Sequence, residues 1–210
     1  MELVSWVIDL ILHLDAHLVE LLRDYGMWVY AILFLIVFAE TGFVVTPFLP
    51  GDSLLFAAGA LAAVDTTGTL SAPLVSLVLV VAAVSGNTTN YHIGKWIGPP
   101  AFSGKYRWLK VDYLKRTEAF FVKHGSMTIV LSRFAPIIRT CAPFVAGVAR
   151  MPYLRFQAYN VIGGLAWVLS LTWAGYFFGN IPIIKENFGL VAIGIVVISM
   201  IPVAWVALKK

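Results

Sequence analysis

The sequence predicts an all-α polytopic membrane protein. We expect an inverted repeat of two re-entrant helical hairpins, each followed by a transmembrane helix, with amphipathic interfacial helices. Three observations support this fold class. Of the 210 residues, 60% are hydrophobic and 12% are charged, a composition outside the range of soluble domains. Prolines interrupt two apolar runs that would otherwise continue as helices. The motif Phe56-Ala-Ala-Gly59 recurs as Phe144-Val-Ala-Gly147. We treat residues 1–210 as a single membrane domain.

The first predicted element is an interfacial helix over residues 3–26. Its polar side chains recur at helical spacing, so they form one stripe on an otherwise apolar helix. These residues are Asp9, His13, His17, Glu20 and Asp24. Gly26 is expected to end the helix. No basic segment precedes the apolar run, which predicts that the N-terminus is not a removable signal peptide.

Residues 27–64 are predicted to form the first re-entrant hairpin. Pro47, Pro50 and Gly51 interrupt the apolar run and should break the helix. The second arm, residues 53–64, would reach only about 18 Å at 1.5 Å per residue, too short to cross a bilayer core. An alternative left open by the sequence is that the first arm alone spans the membrane.

The next two predicted elements are a transmembrane helix over residues 73–94 and a cytoplasmic loop over residues 95–125. The loop contains an amphipathic helix that ends at Gly125. It also carries a concentration of basic residues, which marks the cytoplasmic side. These bases are Lys95, Lys105, Arg107, Lys110, Lys115, Arg116 and Lys123.

A second re-entrant hairpin is predicted over residues 126–150, broken by Pro136 and Pro143. Bases lie on both sides of it, so it should enter and leave the membrane by the cytoplasmic face. Transmembrane helices are predicted over residues 152–179 and 187–208. The two halves of the chain then share one order of elements and enter from opposite faces. This arrangement is typical of transporters that bind substrate near the bilayer midplane.

Four charged residues at the hairpins are the candidate functional residues. Burying each of them costs roughly 2.5 to 3.5 kcal/mol on insertion scales, so a functional reason is expected. We predict that Arg133 and Arg139 bind a substrate phosphate, because a helix break at Pro136 would let the two guanidinium groups converge. Glu40 and Asp52 are predicted to couple transport to protons.

Two other interpretations of these charges stay open at this stage. In the first, the acids and arginines form ion pairs that hold the two repeats together. In the second, Asp52 alone caps the helix that follows Pro50 and Gly51. In both cases the residues would be structural.

No resident cofactor is expected, apart from protons as a coupling ion. Cys141 is the single cysteine, and no Cys/His cluster has the spacing of a zinc site. Residues 1–90 contain eight acids and one base, whereas residues 91–210 contain fourteen bases and three acids. In an apolar chain, this difference in charge between the two halves indicates how the chain is oriented in the membrane. We therefore expect no nucleic-acid partner. The expected partners are the membrane and an anionic lipid, and a homodimer is compatible with the sequence.

The motifs at these residues resemble the DedA family, which belongs to the SNARE-associated, VTT-domain superfamily. The resemblance is carried by FAETGFVVTPFLPGDSLLFAAGALA, by NYHIGKWIG and by KHGSMTIVLSRFAPIIRTCAPFVAGVARM, and extends from about Val4 to Leu208. The combination of an acid pair separated by eleven residues with the motif RFxPxxR is more specific for this family than any single motif. Two departures from the family pattern are Asn87, where Asp is common, and Lys95, where Arg is usual.

The resemblance implies a lipid transporter or flippase of the bacterial inner membrane, driven by the proton-motive force. Its substrate would be undecaprenyl phosphate or a related anionic phospholipid used in cell-envelope synthesis. The essential acids and arginines of the family carry over onto Glu40, Asp52, Arg133 and Arg139. We therefore expect no enzyme.

Two alternatives are a phosphatase acting on undecaprenyl diphosphate and a passive phospholipid scramblase. The sequence Pro50-Gly51-Asp52-Ser53 matches the phosphatase motif only in part, because Leu54 occupies the position where the motif has an arginine.

Overall fold

The computed structural model describes residues 26–43, 51–65, 68–103, 111–178 and 181–182, and every regular element in these ranges is helical. The α-helices are α1 (Trp28–Gly42), α2 (Gly51–Val64), α3 (Ala72–Ile97), α4 (Val111–His124), α5 (Thr128–Leu131), α6 (Pro136–Val148) and α7 (Tyr153–Phe178). Short 3-10 turns occupy Pro99–Ser103, Gly125–Met127 and Ser132–Phe134. The prediction of an all-α protein is confirmed for these residues.

Two of the helices are long and apolar enough to cross a membrane. Helices α3 and α7 have 26 residues each, which gives a length of about 39 Å against a bilayer core of about 30 Å. The spans predicted over residues 73–94 and 152–179 overlap these helices. The interfacial helix predicted over residues 3–26 and the span over residues 187–208 lie outside the described residues, apart from Gly26.

Helices α1 and α2 are the two arms of the first predicted hairpin. Helix α1 has 15 residues and α2 has 14, so both are shorter than the long helices. Pro47 and Pro50 lie outside the described residues, and α2 begins at Gly51. The second arm is about 21 Å long, short of a bilayer core.

The second hairpin breaks at Ala135, whose extended backbone (φ −125°, ψ 99°) separates the 3-10 turn Ser132–Phe134 from α6. Pro136 is the first residue of α6, where a proline needs no N–H partner. The prediction that Pro143 also breaks the helix is wrong, because α6 continues through it to Val148. Pro143 removes the helical donor to the carbonyl oxygen of Arg139, four residues earlier. One residue after that carbonyl, Nδ2 of Asn90 on α3 donates to the carbonyl oxygen of Thr140 (2.8 Å). Helix α6 also packs on α3, and such packing lets membrane helices tolerate a proline.

The short arms of each hairpin pack on different long helices. Helix α1 lies on α3, and α5 lies on α7, so each first arm packs on the long helix of its own half. Helix α2 instead lies on α7, and α6 lies on α3. The second arms are therefore exchanged between the two halves of the chain.

Glycines allow the crossing of α2 and α7. A Cβ atom on Gly59 would collide with the carbonyl oxygen of Thr172, and one on Gly175 would collide with the carbonyl oxygen of Phe56. The two backbones are thus in direct contact, as at small-residue crossings in membrane helices.

The crossing of α6 and α3 repeats this geometry. A Cβ atom on Gly147 would collide with the carbonyl oxygen of Tyr91, and one on Gly94 would collide with the carbonyl oxygen of Phe144. The recurring Phe-x-Ala-Gly motif therefore supplies the same contact in both halves: its phenylalanine carbonyl and its glycine both meet the opposite helix.

We expect Gly147→Ala to lower the thermal stability of the detergent-solubilised protein strongly. The new methyl group would meet a backbone carbonyl, which cannot move as a flexible side chain does, so the helices must separate. The matched control is Gly42→Ala, where the nearest backbone atom would be 3.5 Å away, an ordinary contact. Equal stability of the two variants, measured as the temperature at which the protein ceases to be monodisperse, would contradict the close crossing.

Candidate functional site

The structure brings the four predicted charged residues to the region where the two hairpins break. Glu40 lies in the last turn of α1 and Asp52 in the first turn of α2. Arg133 lies in the 3-10 turn Ser132–Phe134, and Arg139 lies in the first turn of α6. Each hairpin therefore contributes one charge before its break and one after it. The first hairpin supplies the acids and the second the bases.

Arg139 joins both acids. Its Nη2 donates to Oε1 of Glu40 (2.5 Å), and its Nη1 donates to Oδ1 of Asp52 (2.6 Å). Glu40 is fully buried and Arg139 is 4% exposed, whereas the Asp52 side chain is 13% exposed, so the Glu40 side of the cluster is the one shielded from solvent. A buried charge that lost its partner here would be costly.

Gly51 lets the Glu40 carboxylate approach the start of α2. A Cβ atom on Gly51 would overlap the Glu40 carboxylate. The Oε2 atom of Glu40 is buried and accepts no hydrogen bond. Gly51, predicted as a helix-breaking residue, is thus also a contact residue of the site.

Trp167 on α7 completes the cluster and was not predicted from the sequence. Its Nε1 donates to Oδ1 of Asp52 (2.8 Å). The guanidinium carbons of Arg139 and Arg133 lie 5.0 Å and 5.7 Å from the centre of its ring. Cations at these distances are attracted to the ring. One tryptophan in an apolar helix gives little signal in the sequence, because such residues more often anchor helices at the membrane surface.

Arg133 differs from Arg139 in its partners. Its Nη2 donates to Oδ1 of Asn160 (2.8 Å) and, more weakly, to the carbonyl oxygen of Ala83 (3.3 Å). Its Nε and Nη1 atoms are buried without hydrogen-bond partners, and it forms no ion pair with a carboxylate among the described residues. In Arg139, by contrast, only the Nε atom lacks a hydrogen-bond partner. Arg133 is 1% exposed, so it is a buried cation with unused donors.

The Arg133 side chain lies beside two glycines of α7. A Cβ atom on Gly163 would lie 3.5 Å from Cγ of Arg133, and one on Gly164 would lie 3.5 Å from its Nη2, both ordinary contact distances. The side chain therefore packs next to α7.

Buried asparagines connect the site to both long helices. The Nδ2 of Asn87 donates to Oδ1 of Asn160 (3.1 Å), the same atom that accepts from Arg133. The Nδ2 of Asn90 donates to the carbonyl oxygens of Thr41 (3.2 Å) and Thr140 (2.8 Å), one in each hairpin. These asparagines could be recognised from the sequence, because amide side chains inside apolar helices are uncommon and often functional.

The arrangement is suited to binding an anion. The first turns of α2 and α6 both face the cluster, and helix N-termini carry partial positive charge. The Nε and Nη1 atoms of Arg133 are unused donors for phosphate oxygens. They lie on different edges of the guanidinium group, so a two-point contact with one phosphate would use one of them together with Nη2. Within the described part of the chain, no group of three or more His, Cys, Asp or Glu side chains could hold a metal ion.

Comparison with known proteins identifies the family of the chain. The VTT domain matches residues 49–177. The chain is 53% identical to the protein DedA of Escherichia coli K12 over 203 residues, 96% of this chain and 92% of that protein. It is 45% identical to an uncharacterized membrane protein of Mycobacterium tuberculosis over 175 residues, 81% of this chain and 74% of that protein.

The inner membrane protein YqjA of Escherichia coli K12 is 38% identical over 155 residues, 73% of this chain and 69% of that protein. No solved structure matches the chain. The VTT domain covers more than half of the chain, and the relatives are matched over most of their length. As its motifs predict, the chain belongs to the DedA family of membrane proteins.

Proposed function

We propose that the protein moves an anionic lipid, undecaprenyl phosphate or a related phospholipid, across the bacterial inner membrane, coupled to the proton-motive force. The observation that carries this proposal is Arg133, a fully buried cation with two unused donor atoms, Nε and Nη1, beside the ion-pair cluster of Arg139. A buried charge without a counter-ion is unfavourable, and binding an anion would relieve that cost.

The ion-pair cluster suggests how protons enter the cycle. Both Nη atoms of Arg139 already donate to Glu40 and Asp52, and these two carboxylates would repel a phosphate while both are ionised. A proton on Glu40 would weaken that pair and free one side of the guanidinium group. The phosphate would then bind to both Arg133 and Arg139, and its departure would restore the ion pairs as Glu40 loses the proton.

This proposal includes an inverted repeat. The packing of α2 on α7 and of α6 on α3 supports it. Gly59 and Gly147 make equivalent backbone contacts with α7 and α3, and the charged site lies between the two breaks. In transporters with inverted repeats, the substrate site lies where discontinuous helices meet near the midplane. We propose that the hairpins are re-entrant from opposite faces of a multi-pass protein. The relative YqjA is an inner membrane protein of Escherichia coli, which supports this location.

The test is transport of labelled undecaprenyl phosphate by purified protein in proteoliposomes, with and without a pH gradient. We expect transport that is faster when the gradient is present. Equal rates in the two conditions would refute proton coupling and support a passive scramblase. Release of inorganic phosphate from undecaprenyl diphosphate would instead support the phosphatase. Empty liposomes and the variant Arg133→Met are the controls.

A further inference from the structure

A row of hydrogen-bonded polar side chains connects Arg133 to the N-terminal end of α7. Oδ1 of Asn160 accepts from Arg133, and Nδ2 of Asn160 donates to Oε1 of Gln157 (3.0 Å). Nε2 of Gln157 donates to the hydroxyl oxygens of Tyr153 (2.7 Å) and Thr88 (2.9 Å). We call Tyr153, Gln157, Asn160 and Thr88 the polar row.

The polar row leads from the surface to the interior. Tyr153 is 42% exposed and Asn160 is fully buried, while Gln157 and Thr88 are partly buried. On α7 the residues follow at intervals of four and three, so they share one face of the helix. From Tyr153 to Asn160 this face extends about 10 Å along the axis.

The chemistry of the polar row fits an anion better than a proton. Its members are two hydroxyls and two amides, all of which can donate hydrogen bonds to phosphate oxygens, and none is an acid that would repel them. A chain of side chains that passes protons needs groups that both accept and release one. The amides of Gln157 and Asn160 do not do this at ordinary pH, so they would interrupt a proton relay.

Next to the polar row, α7 presents large apolar side chains to its surroundings. Leu154 is 85% exposed, Ile162 57%, and Val161 and Leu165 41% each. Exposed apolar residues on a membrane-spanning helix are suited to lipid tails. A lipid beside α7 could therefore keep its tails in the bilayer while its head group follows the polar row.

We propose that the polar row is the route by which the phosphate head group of an anionic lipid travels between the membrane surface and Arg133. This inference rests on the proposed function, since it names the path to the same site. Neutral donors are suited to a path, because they solvate an anion without holding it as tightly as the buried arginine does.

The first test is chemical access and requires no transport. In the Cys141→Ala background, which removes the single cysteine, we would introduce Gln157→Cys or, as the matched control at the same depth, Ala158→Cys. Each variant in liposomes is treated with anionic sulfonatoethyl methanethiosulfonate. We expect the residue 157 variant to react roughly tenfold faster or more, because only a hydrated thiol forms the reactive thiolate readily. Similar slow rates at both positions would overturn the route.

The second test changes the charge of the route. Gln157→Glu keeps an oxygen that can accept from Asn160 but adds a negative charge, whereas Gln157→Lys adds a positive one. We expect roughly tenfold slower transport of undecaprenyl phosphate with glutamate and a smaller loss with lysine, because an anionic head group is repelled only by the former. Equal losses in both variants would mean that Gln157 is only structural, and would overturn the proposal.

The two tests separate the route from the proposed function. If the wild-type protein transports no lipid while the residue 157 thiol reacts selectively, the proposed function fails and a hydrated path to Arg133 is still supported. If wild-type transport is measured but the thiol is inaccessible, the function stands and the polar row is refuted as its route.

Discussion

Replacing Arg139 with methionine is expected to destabilise the protein by about 3 to 5 kcal/mol, the usual cost of removing one partner from a buried ion pair. Glu40 and Asp52 would lose the cation that they share, in a part of the protein where solvent cannot replace it. At about 2 °C or more per kcal/mol for a chain of this size, the transition temperature of the solubilised protein should fall by about 6 °C or more.

The matched test neutralises the acids in the same background. Adding Glu40→Gln and Asp52→Asn to Arg139→Met should restore much of the lost stability, because no unpaired charge then remains at this position. The triple variant is not expected to transport lipid. If it is as unstable as the single variant, the ion pairs are not what stabilises this region.

Arg133→Met should give the opposite result, with stability kept and transport lost. Arg133 has no carboxylate partner among the described residues, so its removal leaves no acid unpaired. Two charge-assisted hydrogen bonds to phosphate contribute about 1.5 to 3 kcal/mol each, so transport should fall about a hundredfold or more. Arg133→Lys keeps the charge but loses the planar fork, and should also lose most transport.

The comparison of the two arginine variants identifies their roles. Transport by Arg133→Met at the wild-type rate in proteoliposomes would show that this residue is not the phosphate ligand. A fall in stability as large as that of Arg139→Met would show that Arg133 too is mainly a structural cation.

The sequence identified the charged residues but not their pairing. Glu40, Asp52, Arg133 and Arg139 are recognisable because charges are costly inside apolar segments. Which arginine holds the acids depends on the α2–α7 and α6–α3 crossings, which are contacts between residues far apart in the chain. In the structure Arg139 forms the ion pairs. Arg133 is the proposed phosphate ligand, which Arg139 would join once Glu40 is protonated.

Local signals predicted some backbone features and missed others. Pro136 was correctly placed at a break because proline favours the first turn of a helix. Pro143 was wrongly placed there: α6 continues through it, and local rules do not include the packing of α6 on α3. Trp167 was missed for the same reason, since its importance comes from Asp52, 115 residues away in the chain.

The exchange of second arms also sets a condition on biosynthesis. Helix α2 emerges from the ribosome long before α7, the helix on which it packs, has been made. At about 5 to 20 residues per second, roughly 6 to 25 s separate the synthesis of Asp52 from that of the end of α7. For most of this interval Asp52 lacks its partners Arg139 and Trp167. The short apolar helix α2 is then in or near the bilayer without its final contacts. The N-terminal half therefore cannot reach its native packing by itself, and a nascent chain arrested before α7 should be a substrate for membrane quality control.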